Sequence, residues 1–122
     1  MSNNDFSLEA VAALGALAHE QRLAIFRLLV QAGPEGMAAG SIAEAMNSPA
    51  SSISFHLSNL TRAGMIAQRR ESRSLIYSAD YDRVLSLIGF LLEDCCGGRP
   101  EICAPLAEIA SRAACCDVKG QA

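Results

Sequence analysis

Residues 41–64 read Ser41-Ile-Ala-Glu-Ala-Met-Asn-Ser-Pro-Ala-Ser-Ser-Ile-Ser-Phe-His-Leu-Ser-Asn-Leu-Thr-Arg-Ala-Gly64. The second half of this stretch decides the fold. Ile53, Leu57 and Leu60 recur at i, i+4 and i+7, which is one narrow buried stripe on a helix. Asn47-Ser48-Pro49 breaks the chain just before it. Ser48 is a good N-cap and Pro49 suits the first helical position. The helix is therefore expected over residues 49–63, with Gly64 as its C-cap. Its outer face carries Ser51, Ser52, Phe55, Ser58, Asn59 and Arg62, while Ser54 and His56 flank the stripe. A helix facing bulk water usually carries Glu and Lys, and this one bears no formal charge before Arg62. Small hydroxyls let a helix lie deep in a groove and bond bases or phosphates.

Toward the N-terminus, Ile42, Ala45 and Met46 mark a short helix. It starts either at a capping box, Ser41-x-x-Glu44, or earlier, near Ala38. A helix from Glu20 to Ala32 precedes it, with Leu23, Phe26 and Val30 at helical spacing and Gly33-Pro34 as its stop. His19 opens that helix in a structural role. A first helix is expected from Leu8 to Leu17, with Leu8, Val11, Ala12 and Gly15 on one face.

Toward the C-terminus, Met65 to Arg70, a turn at Glu71-Ser72 and Arg73 to Ser78 read as a short β-hairpin. Asp80 then caps a fifth helix over about 81–94. Val84, Leu85, Leu87, Ile88, Leu91 and Leu92 cover more than one of its faces, so it needs burial on two sides, the second against another subunit. Gly97-Gly98 ends it, and a last helix is expected from Pro105 to Cys115. Two helices meeting at a tight turn, then a hairpin with Arg at its tip, is the order of a winged helix-turn-helix. The fold class is mainly α with a small β-hairpin. Such a helix enters the major groove, where base edges carry the full donor and acceptor code. The hairpin lies on the backbone or in the adjacent minor groove, where Arg meets enhanced negative potential.

The 122 residues suit a single domain, 1–122. Half are hydrophobic, six are aromatic and none is Trp. No apolar run is long enough to span a membrane, and Met1-Ser-Asn-Asn-Asp-Phe has no basic segment of a secretory signal. A cytoplasmic protein is expected. The net charge of −3 argues against nucleic acid until its distribution is read. Residues 50–75 hold Arg62, Arg69, Arg70 and Arg73 against Glu71 alone, whereas the remainder holds six bases and twelve acids. One basic segment sits in an acidic chain.

Leu23-Ala-Ile-Phe-Arg-Leu-Leu, Ile42-Ala-Glu-Ala-Met, Ser51-Ser-Ile-Ser-Phe-His-Leu-Ser-Asn-Leu, Arg62-Ala-Gly-Met-Ile and Arg69-Arg-Glu-Ser-Arg-Ser-Leu-Ile-Tyr together resemble the ArsR/SmtB family of metal-responsive repressors, over residues 14–95. The resemblance implies a homodimer joined through the first and fifth helices, a recognition helix at 49–63, a wing near 69–75 and double-stranded operator DNA as partner. It places Ser51, Ser54 and Phe55 among the DNA contacts and Arg73 at the wing. Ser52, His56, Ser58, Arg69 and Arg70 complete the expected DNA-facing set. The chain also departs from the family. The third-helix Cys-x-Cys is replaced by Met37-Ala-Ala-Gly-Ser, and no histidine lies on the fifth helix, His19 and His56 being the only two. Zinc sensing through either of those sites is not expected.

Five cysteines, at 95, 96, 103, 115 and 116, crowd the last 28 residues. An odd count without an export signal points to reduced thiols rather than a disulfide framework. Cys95-Cys96-Gly-Gly-Arg-Pro-Glu-Ile-Cys103 resembles the C-terminal triple-thiol site of arsenical repressors in this family. A Cys95–Cys96 disulfide would be strained, because adjacent Cα atoms are about 3.8 Å apart and a relaxed bridge wants roughly 4.4–6.8 Å. Glu93 and Asp94 at a helix C-terminus disfavour thiolate, so peroxide chemistry is poorly served. Structural zinc wants four ligands, usually spaced Cys-x₂₋₄-Cys; Cys115 or Cys116 are the thiols available for a fourth. As(III) and Sb(III) are soft and take three sulfurs, which Cys95, Cys96 and Cys103 supply. The expected function is a repressor released from its operator by As(III) or Sb(III), without an organic cofactor. A thiol redox or persulfide-responsive repressor on the same fold competes with it. So does a small thiol metallochaperone or reductase. The chain has no Cys-x-x-Cys, no Gly-rich phosphate loop and no His base beside a cysteine, so no catalytic residue is expected.

Overall fold

The computed structural model describes residues 2–92, with side chains from residue 7. The chain divides into two units, 1–90 and 91–122, and the fold below is that of the first. In chain order the elements are α1 (Ser2–Leu17), α2 (Glu20–Ala32), β1 (Met37–Ala38), α3 (Ala39–Met46), α4 (Ala50–Arg62), β2 (Ile66–Glu71), β3 (Ser74–Ala79) and α5 (Tyr81–Leu91). This is a winged helix-turn-helix, mostly helical with a small antiparallel sheet. The expected helix at 105–115 and all five cysteines lie outside the described residues.

Local chemistry sets the helix ends. His19 Nδ1 accepts a hydrogen bond from the Gln21 amide at 3.2 Å and so caps α2. Gly33, at φ +87°, ends it. Asn47 adopts the left-handed conformation that turns α3 toward α4, a region Asn tolerates better than most residues. Pro49 is the N-cap of α4 and Ala50 its first residue, one position later than the sequence implied. Ser48 does not cap it; its hydroxyl donates to the Met46 carbonyl. The Met65 amide bonds the Leu60 carbonyl across Gly64, at φ +82°, a closure that satisfies a terminal carbonyl. Asp80 caps α5 as expected, accepting from the Arg83 amide at 3.1 Å. α3 begins at Ala39 with no side-chain cap, so the earlier of the two starts applies and Ser41-x-x-Glu44 is not a capping box.

The sheet order is β1-β3-β2. The hairpin register runs from Ile66 opposite Ala79 to Glu71 opposite Ser74. Its turn is therefore Ser72-Arg73, one residue beyond the expected position, with Ser72 at φ +56°. β1 adds two residues to the far edge of β3, Met37 opposite Tyr77 and Ala38 opposite Ile76. Gly36, at φ +73°, lies so close to the Tyr77 carbonyl that a Cβ there would collide with it.

Ile25, Leu29, Ile42, Ile53, Leu57, Leu60 and Met65 are fully buried and form the centre of the core. The stripe on α4 is the one anticipated. On α2 the inward residues are Ile25, Phe26 and Leu29, while Leu23 and Val30 face outward. Seven of the eight residues from Leu23 to Val30 are apolar, so spacing could not choose the face. On α1 the expected apolar face is the outer one. Ala10 and Ala13 are buried, and Leu8 and Val11 stand 74% and 65% exposed. On α5, Leu87 enters the core and Leu85 remains 66% exposed. Arg83 joins this helix to α1 through Glu9 at 3.0 Å. Among the described residues no helix is long and apolar enough to cross a membrane.

Candidate nucleic-acid interface

Burying Ile53, Leu57 and Leu60 forces the opposite face of α4 outward. Ser51, Ser54, Phe55 and Ser58 are exposed there, and Ser52 is half-buried. Phe55, at 63% exposure, is the one large apolar group on this face. An aromatic ring left in water beside four serines is suited to apolar contact with a thymine methyl, while the hydroxyls suit base edges or phosphates.

His56 does not belong to this surface. It was expected to face DNA, yet it is 7% exposed. Residue 56 precedes Leu57 and follows Ile53 by three, so it lies on the edge of the stripe that turns into the protein. Arg22 Nη1 lies 3.5 Å from its Nδ1, and Gln21 Oε1 lies 2.9 Å from its Nε2. A guanidinium can only donate, so Nδ1 accepts and Nε2–H donates to Gln21. The neutral ring is the one that fits. Burial pushes the His56 pKa below its ordinary 6.5, and the neighbouring charges of His19 and Arg22 push it the same way. The His19 ring sits 4.7 Å away, centroid to centroid. Arg22 also donates through Nε to the Ala16 carbonyl at 2.7 Å. His56 thus fastens the reading helix to the start of α2, and through Arg22 to the end of α1. Sequence spacing alone offers no sign of this, because the partners lie 34 and 35 residues away.

The three wing arginines divide. Arg69 is committed to the body of the protein. Its guanidinium donates to the Glu35 carbonyl at 2.8 Å and to Glu71 at 3.1 Å, with a longer bond to the Pro34 carbonyl. Arg70 and Arg73 have no side-chain partner among the described residues, the first near the end of β2 and the second in the turn. Unpaired cations on a projecting hairpin are what a polyanion requires.

This geometry has known counterparts. A family model described as a helix-turn-helix domain matches residues 17–69. The nodulation protein NolR of Rhizobium meliloti is 36% identical over 78 residues, which span 64% of this chain and 62% of its own length. The transcriptional regulator YgaV of Escherichia coli K12 is 31% identical over 83 residues, 68% of this chain and 82% of that protein. Among solved structures, the homodimeric winged helix-turn-helix DNA-binding domain Mb0332 of Mycobacterium bovis, a possible ArsR-family regulator, superposes with a TM-score of 0.59 at 26% identity, covering 75% of this chain and 84% of that one.

Two outcomes follow from the geometry. As pH falls below 6.5 the unfolded chain takes up the His56 proton before the folded chain does. Stability is therefore complete above 6.5 and declines as pH drops toward the lower folded value. Thermal midpoints measured from about pH 8 to pH 5 should fall more steeply for the native protein than for His56→Gln; parallel profiles would refute the latch. Separately, Arg70→Ala or Arg73→Ala should reduce the logarithmic salt slope of DNA binding by about 0.9 each. Arg69→Ala should instead lower the thermal midpoint, because it unties the wing. An equal loss of salt slope for all three would show that the division is wrong.

Proposed function

The chain belongs to the ArsR-type family of helix-turn-helix transcriptional regulators, and from that premise we propose that it is a homodimeric repressor released from its operator by As(III) or Sb(III) bound to Cys95, Cys96 and Cys103. The observation that carries the inducer is the run Cys95-Cys96-Gly-Gly-Arg-Pro-Glu-Ile-Cys103. The vicinal pair is poorly arranged for a disulfide, and Gly97-Gly98 allows one short loop to bring a third sulfur onto it at small entropic cost. Three thiolates and no nitrogen ligand match a soft trivalent metalloid. Binding releases the thiol protons, while Glu93 and Asp94 beside the pair disfavour the free thiolate that oxidants attack.

Two copies joined through α1 and α5 account for the exposed Leu8, Val11 and Leu14 on the first helix and Leu85 and Ile88 on the last. Apolar groups of that size on two helices are otherwise costly to leave in water. Such a dimer presents two α4 helices about one DNA turn apart, roughly 34 Å. Cys95 and Cys96 follow the fifth helix closely in the chain, so drawing Cys103 onto them would act on the interface that sets this spacing. A coupling of about 1–3 kcal/mol, or 5- to 150-fold in operator affinity, is the ordinary range for such a link.

Sedimentation at micromolar concentration should give a dimer, and Val11→Glu with Leu85→Glu should give monomers; a monomeric native protein would refute the assembly. The inducer is tested by anisotropy of a labelled operator duplex titrated with arsenite. Cys95→Ser, Cys96→Ser and Cys103→Ser should each bind DNA and fail to let go, while Cys115→Ser and Cys116→Ser release normally. Release by Cys103→Ser at native arsenite levels would sink the three-thiol site. Release by a persulfide or mild oxidant, and not by arsenite, would favour the redox reading instead.

A further inference from the structure

A crevice of about 300 Å³ runs between α4 and the wing, lined by Ser54, Ser58, Thr61, Arg62, Gln68 and Tyr77. Four of these come from α4, and Gln68 and Tyr77 are register partners on β2 and β3. Every lining residue carries a polar group, and among the described residues that line it there is no carboxylate. Thr61 spends its proton on the Leu57 carbonyl at 2.8 Å. Arg62 makes a single long bond, 3.5 Å, to Asn59. Ser54, Ser58, Gln68 and Tyr77 have no side-chain partner among the described residues. The crevice therefore offers several free neutral donors and one guanidinium, a set that favours a singly charged anion with several acceptor oxygens.

Its position identifies the anion. Ser54 and Ser58 belong to the outward face of α4, so the crevice opens on the same side as the reading surface. A helix in the major groove and a hairpin in the next minor groove have one sugar–phosphate strand between them. Resting on the DNA-binding reading above, we propose that this crevice seats one phosphodiester of that strand, with Arg62 as its cation and Gln68, Tyr77 and Ser58 as neutral donors. The seat contacts no base. It fixes how far the reading helix and wing straddle the strand, and it contributes equally on every sequence.

The test is a cycle between protein variants and DNA carrying single neutral methylphosphonate linkages, placed one at a time along a half-site in a duplex selected from a randomised pool. On the all-phosphate duplex, Arg62→Gln and Gln68→Ala should each lose roughly tenfold in affinity. Arg62→Gln should also lose about 0.9 of the salt slope, and Gln68→Ala none. One linkage should exist whose neutralisation weakens the native protein by a similar factor, leaves Arg62→Gln nearly unaffected, and costs Gln68→Ala clearly less than it costs the native protein. Tyr77→Phe, which removes only the hydroxyl, should respond as Gln68→Ala does and guards against a folding defect. Additive losses at every linkage, with tight binding intact, would overturn the seat and leave DNA recognition standing. Failure of the native protein to select any duplex would overturn both.

Discussion

Burial of one side of α4 is the constraint on which the rest depends. Ile53, Leu57 and Leu60 reach the centre of the core, and once they do, the 100° step of the helix leaves no freedom over what faces outward. Ser51, Ser54, Phe55 and Ser58 are presented as a consequence. A shift of one residue in the stripe would carry the serines inward, where unmatched hydroxyls are costly. Reading surface and core are thus two sides of one packing decision, and the tight left-handed turn at Asn47 sets where that decision begins.

His56 adds a second hold on the same helix. Apolar stripes resist translation poorly, because neighbouring methyl groups are nearly interchangeable. A directional bond to Gln21 at 2.9 Å does not share that tolerance. The wing is held by an analogous device. Arg69 ties β2 to the loop before β1, and Gly36 allows that loop to lie against β3 with no side chain between them. Helix and hairpin are each pinned to the body by a polar contact, and the crevice between them has walls fixed on both sides.

Much of this was legible in the amino-acid order. α2 begins and ends where expected, because His19, Gly33 and Pro34 act locally. The stripe on α4 and the Asp80 cap were likewise written within a few residues of where they act. What escaped depends on distance in the chain. β1 is two residues long and has no period to detect. His56 looked outward because its partners lie on another helix, and Arg69 looked free because the carbonyls it bonds are 34 and 35 residues earlier. On α1 the large apolar residues stood out, but alanines were the ones that allowed close approach to the core. A period marks an apolar face without saying whether the protein's own core or a second copy will cover it. The cysteines proposed to hold the inducer lie beyond the described residues, so their reading rests on composition and spacing.

The segregation of charge has a kinetic consequence. Six bases and twelve acids lie outside residues 50–75, while that segment carries four arginines against one glutamate. A chain with this distribution has a local basic segment and little net attraction to a polyanion. Encounters led by the wing, with its unpaired Arg70 and Arg73, are drawn in ahead of others, so charge selects orientation before contact is made. The same imbalance leaves few cations to hold the protein on arbitrary DNA. Once the specific contacts loosen, escape into solution competes well with sliding along the duplex, and a DNA-binding regulator with this charge pattern spends little time on unrelated sequence.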